Sequence, residues 1–494
     1  MENLIIALQN VFMIQNLIYV IIGVLSGIIV GAIPGMTSVM LLAILLPFTF
    51  HMEASGAIIL MISIVSGANY AGGISAILLN MPGTPSAAAT ALDGFPMCQN
   101  GKGGMALIAD IFASFIGGTI AWIIMIIATP LVTKFALMFG PTEYTMLLVF
   151  SLTIIGMLAG EDPLKGILAG IFGLALSTIG TDPYSARIRY TFGFLELMDG
   201  IEIIWASIGI FALVQVLKFV KQKDRAISID TKKKIDWPIK ETLKIVLSKK
   251  SLLIRSTLIG TFIGAAPGAG PAIASFVSYG EAKRNSKNHK NFGKGEIEGV
   301  IASEAANNAC GFGSLVPMLS LGIPGSTSAA LAMAAMIIVG LQPGPELFSK
   351  NITVVYTIFG GIFLSNIVFL FFGLFFARFT AKLLIIKVSY LIPVIMLMAT
   401  IGVYSPKRSI FGVFVTFIIC IVGYMLIKFG FPLTPIMLGL ILGKIMESHF
   451  IRAMIMTKKN MLQICLYSPL SIILTIATIL SVIYIIRNYF KKSL

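Results

Sequence analysis

Between Gly104 and Pro130 the chain reads GMALIADIFASFIGGTIAWIIMIIATP, with Asp110 as its single charge. At roughly 1.5 Å per helical residue, such a run crosses the ~30 Å of hydrocarbon in a bilayer. Hydrocarbon offers no partner to a backbone amide or carbonyl, so a chain that enters it must close its hydrogen bonds within helices or a sealed barrel. Runs this long and unbroken select helices. The whole sequence holds roughly ten to twelve such membrane elements, some spanning and some half-length. The composition, 57% hydrophobic and 12% charged over 494 residues, belongs to the same kind of chain. The expected fold class is an all-α polytopic membrane protein, and the opening MENLIIALQN lacks the basic n-region of a cleaved signal peptide.

Two apolar runs are interrupted by the same device. GAIPG fills residues 31–35 and GAAPG fills 264–268. Leu25, Gly27, Gly31, Ala32, Pro34 and Gly35 recur, at one constant offset, as Leu258, Gly260, Gly264, Ala265, Pro267 and Gly268. A second pair follows in the same order, NMPGTPSAAATA at 80–91 and GIPGSTSAALAM at 322–333, each preceded by a stretch rich in Gly and Asn or Ala. The expected architecture is therefore two repeats, residues 1–217 and 251–494, joined by a basic connector at 218–250.

Charge placement supports that division. Residues 1–217 contain five Lys or Arg, and 218–250 alone contain eleven. Basic residues gathered in short loops between apolar runs follow the positive-inside rule, which accounts for the +15 formal charge without a nucleic-acid partner. The first broken run is flanked by acid without Lys or Arg, and the second by Lys and Arg on both sides. The two copies would then enter from opposite faces as an inverted-topology repeat, with the connector cytoplasmic. Basic flanks at both ends of 250–283 also imply a re-entrant hairpin, because one straight span would carry one flank outside. A single proline-kinked span is the alternative.

Pro removes an N–H and Gly tolerates backbone conformations that other residues resist, so each break ends one half-helix and starts another. A new N-terminus presents bare N–H groups and roughly half a positive charge, which suits an anion. Candidate substrate contacts are Pro34, Gly35, Thr37 and Ser38; Gly83, Thr84 and Ser86; Gly268 and Gly270; and Gly325, Ser326, Thr327 and Ser328. Four such termini offer about +2 in all. A tricarboxylate brings a larger negative charge, so a co-bound cation, Na⁺ or H⁺, would bring the site near neutrality. Unwound carbonyls and the side chains of Asn69, Glu304, Asn307 and Asn308 are candidates to bind it. The competing reading is that these small residues only let helices pack closely.

Carboxylates at membrane depth are functional suspects, which singles out Glu304 and Asp110. Asp93, Glu161 and Asp162 adjoin loop signals and read as interfacial caps. Cys98, Cys310, Cys420 and Cys465 are scattered, the three histidines are isolated, and no phosphate-binding loop is present. No enzyme chemistry, resident metal or cofactor is expected.

These stretches resemble the large permease subunit of tripartite tricarboxylate transporters. The likeness is carried by GAIPGMTS, YAGGISAILLNMPGTPSAAATALDGFPM, GAAPGAGPAIASFVSYGEAKR and EIEGVIASEAANNACGFGSLVPMLSLGIPGSTSAALAMAAM, with weaker support from GEDPLKGILAG and PIMLGLILGKIMESHF. It implies cation-driven secondary uptake of a citrate-like di- or tricarboxylate across a bacterial inner membrane. It also implies two partners, a small membrane subunit and an extracytoplasmic solute-binding protein, and leaves assembly of several copies open. The rivals are an uncoupled anion channel, a permease for another small organic anion, and a non-transporting membrane scaffold.

Overall fold

The structure is a computed structural model that describes residues 2–158, 162–221, 236–376, 388–458 and 460–493. Glu161 and residues 222–235 of the expected connector lie outside the described residues. Among those described, eight helices are long and apolar enough to cross a membrane: Ile14–Ala32, Ala54–Leu79, Gly103–Ala136, Pro141–Leu158, Ile203–Lys221, Ile352–Phe376, Ile410–Lys428 and Pro469–Arg487. Four shorter apolar helices, Ser38–His51, Pro163–Ser177, Thr327–Ile338 and Leu391–Tyr404, accompany them. One two-stranded ribbon, Gly180–Thr181 against Ile188–Arg189, is the sole sheet among the described residues. The protein is all-α and polytopic.

Two compact units form, Met1–Val132 with Phe219–Val394 and Thr133–Lys218 with Ile395–Leu494. Each takes one segment from either side of the connector, so the packing units cut across the expected division at 217 and 251.

In the first unit, helix spacing is set by small residues that bring backbones together. Gly23, Gly27 and Gly31 of Ile14–Ala32 lie directly on the backbone of Leu60, Ile64 and Ala68 in Ala54–Leu79. Residue numbers rise together along the contact, so these two helices run parallel. The chain between them must therefore travel back, and Ser38–Leu45 with the 3₁₀ turn Leu46–His51 makes that return. The second copy repeats the arrangement: Gly260 and Gly264 of Lys250–Ala265 lie on Ala306 and Cys310 of Ile297–Gly313. Its return leg is Gly270–Asn285. Arg255 reaches Glu281 at 2.9 Å. A straight helix would hold residues 26 apart in sequence roughly 39 Å apart, so the kinked-span alternative is excluded and the hairpin stands.

The copies oppose one another. Gly73 lies beside Glu304, Asn69 beside Asn307 and Gly311, so the number rises on Ala54–Leu79 as it falls on Ile297–Gly313. These two helices are the matching members of the repeats, and their antiparallel pairing is the geometry of inverted topology.

The second unit packs on similar principles. Gly173 of Pro163–Ser177 abuts the Ile436 carbonyl, and Gly439 of Leu433–Met456 abuts that of Gly170. Arg189 on the ribbon joins Glu447 and Asp182, and Lys407 joins Asp199 and Glu202. Asp162 caps Pro163–Ser177 by accepting from Leu164 N–H at 3.0 Å, as its loop signal implies.

Candidate functional site

The four breaks have matching backbones. Ile33 and Ala266 close the first helix of each copy with φ −80° and ψ 120°. Gly35 and Gly268 follow at φ +84° and +83°, where a side chain would be strained. The second breaks open with left-handed residues, Asn80 at φ 54° and Gly322 at φ 70°. Asn80 N–H donates to Ala76 O and Gly322 N–H to Met318 O, both at 3.1 Å. Met81 N–H then reaches Ser75 O, and Ile323 N–H reaches Pro317 O. This doubly bonded ending satisfies carbonyls that the break would orphan, and it needs an αL residue.

The breaks also touch. Gly83 sits on the Gly31 carbonyl, and its counterpart Gly325 sits on that of Gly264. Gly268 N–H donates to Gly325 O at 3.1 Å. Across the copies, Ser38 Oγ and Ser328 Oγ are 3.4 Å apart, at the starts of Ser38–Leu45 and Thr327–Ile338. Thr37 caps the former by accepting from Met40 N–H at 3.3 Å, and Ser326 caps the latter by accepting from Ala329 N–H at 3.2 Å.

Beside Ser328 opens a narrow cleft with a cavity volume of about 20 Å³, room for a water molecule as the structure stands. Its polar lining is Ser66, Asn69, Asn308, Ser314, Ser326 and Ser328, and apolar walls come from Ile62, Val65, Phe312, Leu315, Ala329 and Ala332. Asn308 is 2% exposed and its Nδ2 has no hydrogen-bond partner among the described residues. A buried amide left unsatisfied is a donor waiting for an acceptor. Hydroxyls, amides and the start of a 12-residue helix form a neutral, donor-rich lining suited to carboxylate oxygens.

Of the residues singled out by sequence, Asn69, Asn308, Ser326 and Ser328 line this cleft, and Ser38 meets Ser328. Thr327 adjoins the lining by sequence. Pro34 and Thr37 belong to the first break, where the Phe219 ring lies over Gly35. Gly83, Gly268, Gly270 and Gly325 shape the turns rather than the lining. Thr84 and Ser86 bond each other at 2.9 Å, and Thr84 packs on Gly72. Ser66, Gly311 and Ser314 were not foreseen. At the offset of the second motif pair, 80 to 322, Ser66 corresponds to Asn308 and Asn69 to Gly311, so that offset was a signal that could have found Ser66 and Gly311, though not Ser314.

Glu304 and Asn307 stand apart from the cleft in a buried polar cluster. Glu304 Oε1 accepts from the Thr90 hydroxyl, and Oε2 accepts from Asn307 Nδ2 at 3.1 Å. Ser114 Oγ is 3.4 Å from both Glu304 Oε2 and Asp110 Oδ1. Asn307 Nδ2 also donates to the Asn69 carbonyl at 3.1 Å, linking the cluster to a residue of the cleft.

Asp93 corrects the sequence reading. It is no interfacial cap but a wholly buried residue inside Ala87–Gln99. Its Oδ1 accepts from the N–H groups of Gly293, Gly295 and Glu296 at 2.8–2.9 Å, and its Oδ2 from the Tyr279 hydroxyl at 2.8 Å. One carboxylate thereby pins the loop before Ile297–Gly313 to the other copy.

The family model described as "Tripartite tricarboxylate transporter TctA family" matches residues 17–438. An Agrobacterium vitis protein described as an uncharacterized 52.8 kDa protein in the TAR-I ttuC' 3' region is 34% identical over 444 residues, 90% of this chain and 88% of that one. A second protein of that organism, from the TAR-II ttuC' 3' region, is 37% identical over 199 residues, 40% of this chain and 82% of its own. No solved structure matches the chain.

Proposed function

The chain belongs to the tripartite tricarboxylate transporter TctA family, and on that premise we propose that it carries a small di- or tricarboxylate across the membrane by cation-coupled alternating access. The observation that carries this reading is the cleft at the meeting of broken helices, where Asn69, Asn308, Ser326 and Ser328 face a common space. Four neutral donors and a helix N-terminus can replace the water around carboxylate oxygens without fixing a counter-charge there. A substrate held mainly by backbone dipoles and hydroxyls is released more readily than one locked to buried arginines. Inverted copies of one hairpin give two near-equivalent arrangements, the basis of rocking between inward- and outward-open states. The partners are a small membrane subunit and a solute-binding protein that delivers the carboxylate. The first hairpin opens from the outer face and the second from the cytoplasm, with the 218–250 connector cytoplasmic in the inner membrane.

The test is counterflow in proteoliposomes, using radiolabelled citrate, tartrate, succinate and malate, with and without the partner subunits. Accelerated exchange of one of these acids is expected, with Asn308→Ala and Ser328→Ala weakening its apparent affinity. Flux without accelerated exchange would make the protein a channel, and no flux of any of them would sink the carboxylate reading.

A further inference from the structure

Asp110 and Glu304 are both 0% exposed, and neither enters an ion pair among the described residues. Their carboxyl groups face the same gap beside Gly73, where an added methyl would meet Asp110 Oδ2 and Glu304 Oε1 together. A count of donors leaves the pair short. Thr90 and Asn307 serve Glu304. Ser114 lies between the two acids but has one hydroxyl proton, so it can satisfy only one of them. Asp110 Oδ2 has no donor to accept from among the described residues. Two carboxylates removed from water without a positive charge nearby are costly. One added proton supplies the missing donor and removes one of the two charges.

We propose that Asp110 and Glu304 share a single proton, and that this proton is the ion whose movement is coupled to that of the substrate. The second clause rests on the transport reading above; the first does not. The Tyr70 phenol is close enough to feel both carboxyls, and the titratable groups on the surrounding helices have partners of their own. Tyr70 of Ala54–Leu79 donates to Gly373 O, and Asp93 of Ala87–Gln99 is engaged with Tyr279 of Gly270–Asn285. Arg255 of Lys250–Ala265 is paired with Glu281, and Glu298 at the start of Ile297–Gly313 with Lys249. Cys310 is a buried thiol further along that helix. No group of three His, Cys, Asp or Glu side chains able to hold a metal occurs among the described residues. A proton needs no coordination shell.

The route to the cleft is short. Asn307 donates to Glu304 through the same amide nitrogen that binds the carbonyl of Asn69, and the Asn69 side chain lines the cleft. Loss of the proton strengthens the pull of Glu304 on Asn307 and thereby shifts the balance at Asn69.

Two measurements test this. Infrared spectra of the purified permease at pH 7 should contain the carbonyl stretch of a protonated, buried carboxylic acid, and Asp110→Asn and Glu304→Gln should each abolish it. Thr90→Val, which keeps both acids, should shift the band and serves if an amide variant does not fold. A spectrum without the band, or a band indifferent to all three changes, overturns the shared proton. In proteoliposomes, a pH gradient without Na⁺ should drive accumulation of whichever carboxylate shows counterflow, with loss of accumulation above the external level in Asp110→Asn and Glu304→Gln. Accumulation driven by Na⁺ and indifferent to pH overturns the coupling role. Absence of counterflow in the unaltered protein removes the transport reading and the coupling role together, while the infrared result still decides the shared proton.

Discussion

Gly83 and Gly325 sit where a methyl group would run into the carbonyl of the preceding break, Gly31 and Gly264 respectively. Replacing either by Ala should destabilise the protein by roughly 1–3 kcal/mol through overpacking, read as a lowered melting temperature in detergent. Gly280 has open space around it in mid-helix, so Gly280→Ala should be neutral or stabilise by about 0.4–1 kcal/mol. Equal effects at all three positions would refute the close approach. Asp93→Ala should leave three backbone N–H groups without their acceptor, a loss of about 1.5–3 kcal/mol, seen as faster hydrogen exchange at 293–296. Unchanged exchange there would show the loop is held by something else. Sequence alone misreads Asp93 as an interfacial cap because its apparent loop signal lies within a helix and the partners that define its role lie some 200 residues away. The Pro-Gly pairs were legible because their backbone demands are local, whereas the pairing of Asp110 with Glu304 is a product of tertiary packing.

At the level of elements, the basic flanks of the 250–283 segment predicted a chain that turns back on itself, and Arg255 meeting Glu281 is that return. Arg255→Cys and Glu281→Cys in a cysteine-free background should cross-link intramolecularly with a short reagent, and a straight span could not. The ribbon at 180–189 was not foreseen, since two-residue strands leave no periodic signal. Asp182 holds its turn, accepting from Tyr184 N–H at 2.8 Å and Ser185 N–H at 3.0 Å. The Ser185 N–H first and the Tyr184 N–H next draw its carboxyl below the usual range. A carboxyl lowered on folding stabilises the turn above its unfolded value of about 3.9 and loses that contribution as pH falls through the lower folded value. Protection of the turn's amides should therefore persist at pH 4 and fade below it, and Asp182→Ala should abolish the pH dependence.

For the molecule as a whole, the duplication was readable from matched motifs at nearly constant spacing, and its inverted sense from charge alone. The compact units were not, because which segments pack together depends on contacts between residues far apart in sequence. If the copies enter from opposite faces, Glu53→Cys and Lys287→Cys should react with a membrane-impermeant maleimide from opposite sides of right-side-out vesicles; labelling from one side would refute the orientation. Each packing unit is completed only by sequence from the second half. During synthesis, the first half must therefore wait in the bilayer with its interrupted helices unsheltered until its counterpart emerges from the ribosome. Two fragments severed within 222–235 should accordingly regain the folded protein, read as co-purification, only when made in the same cell.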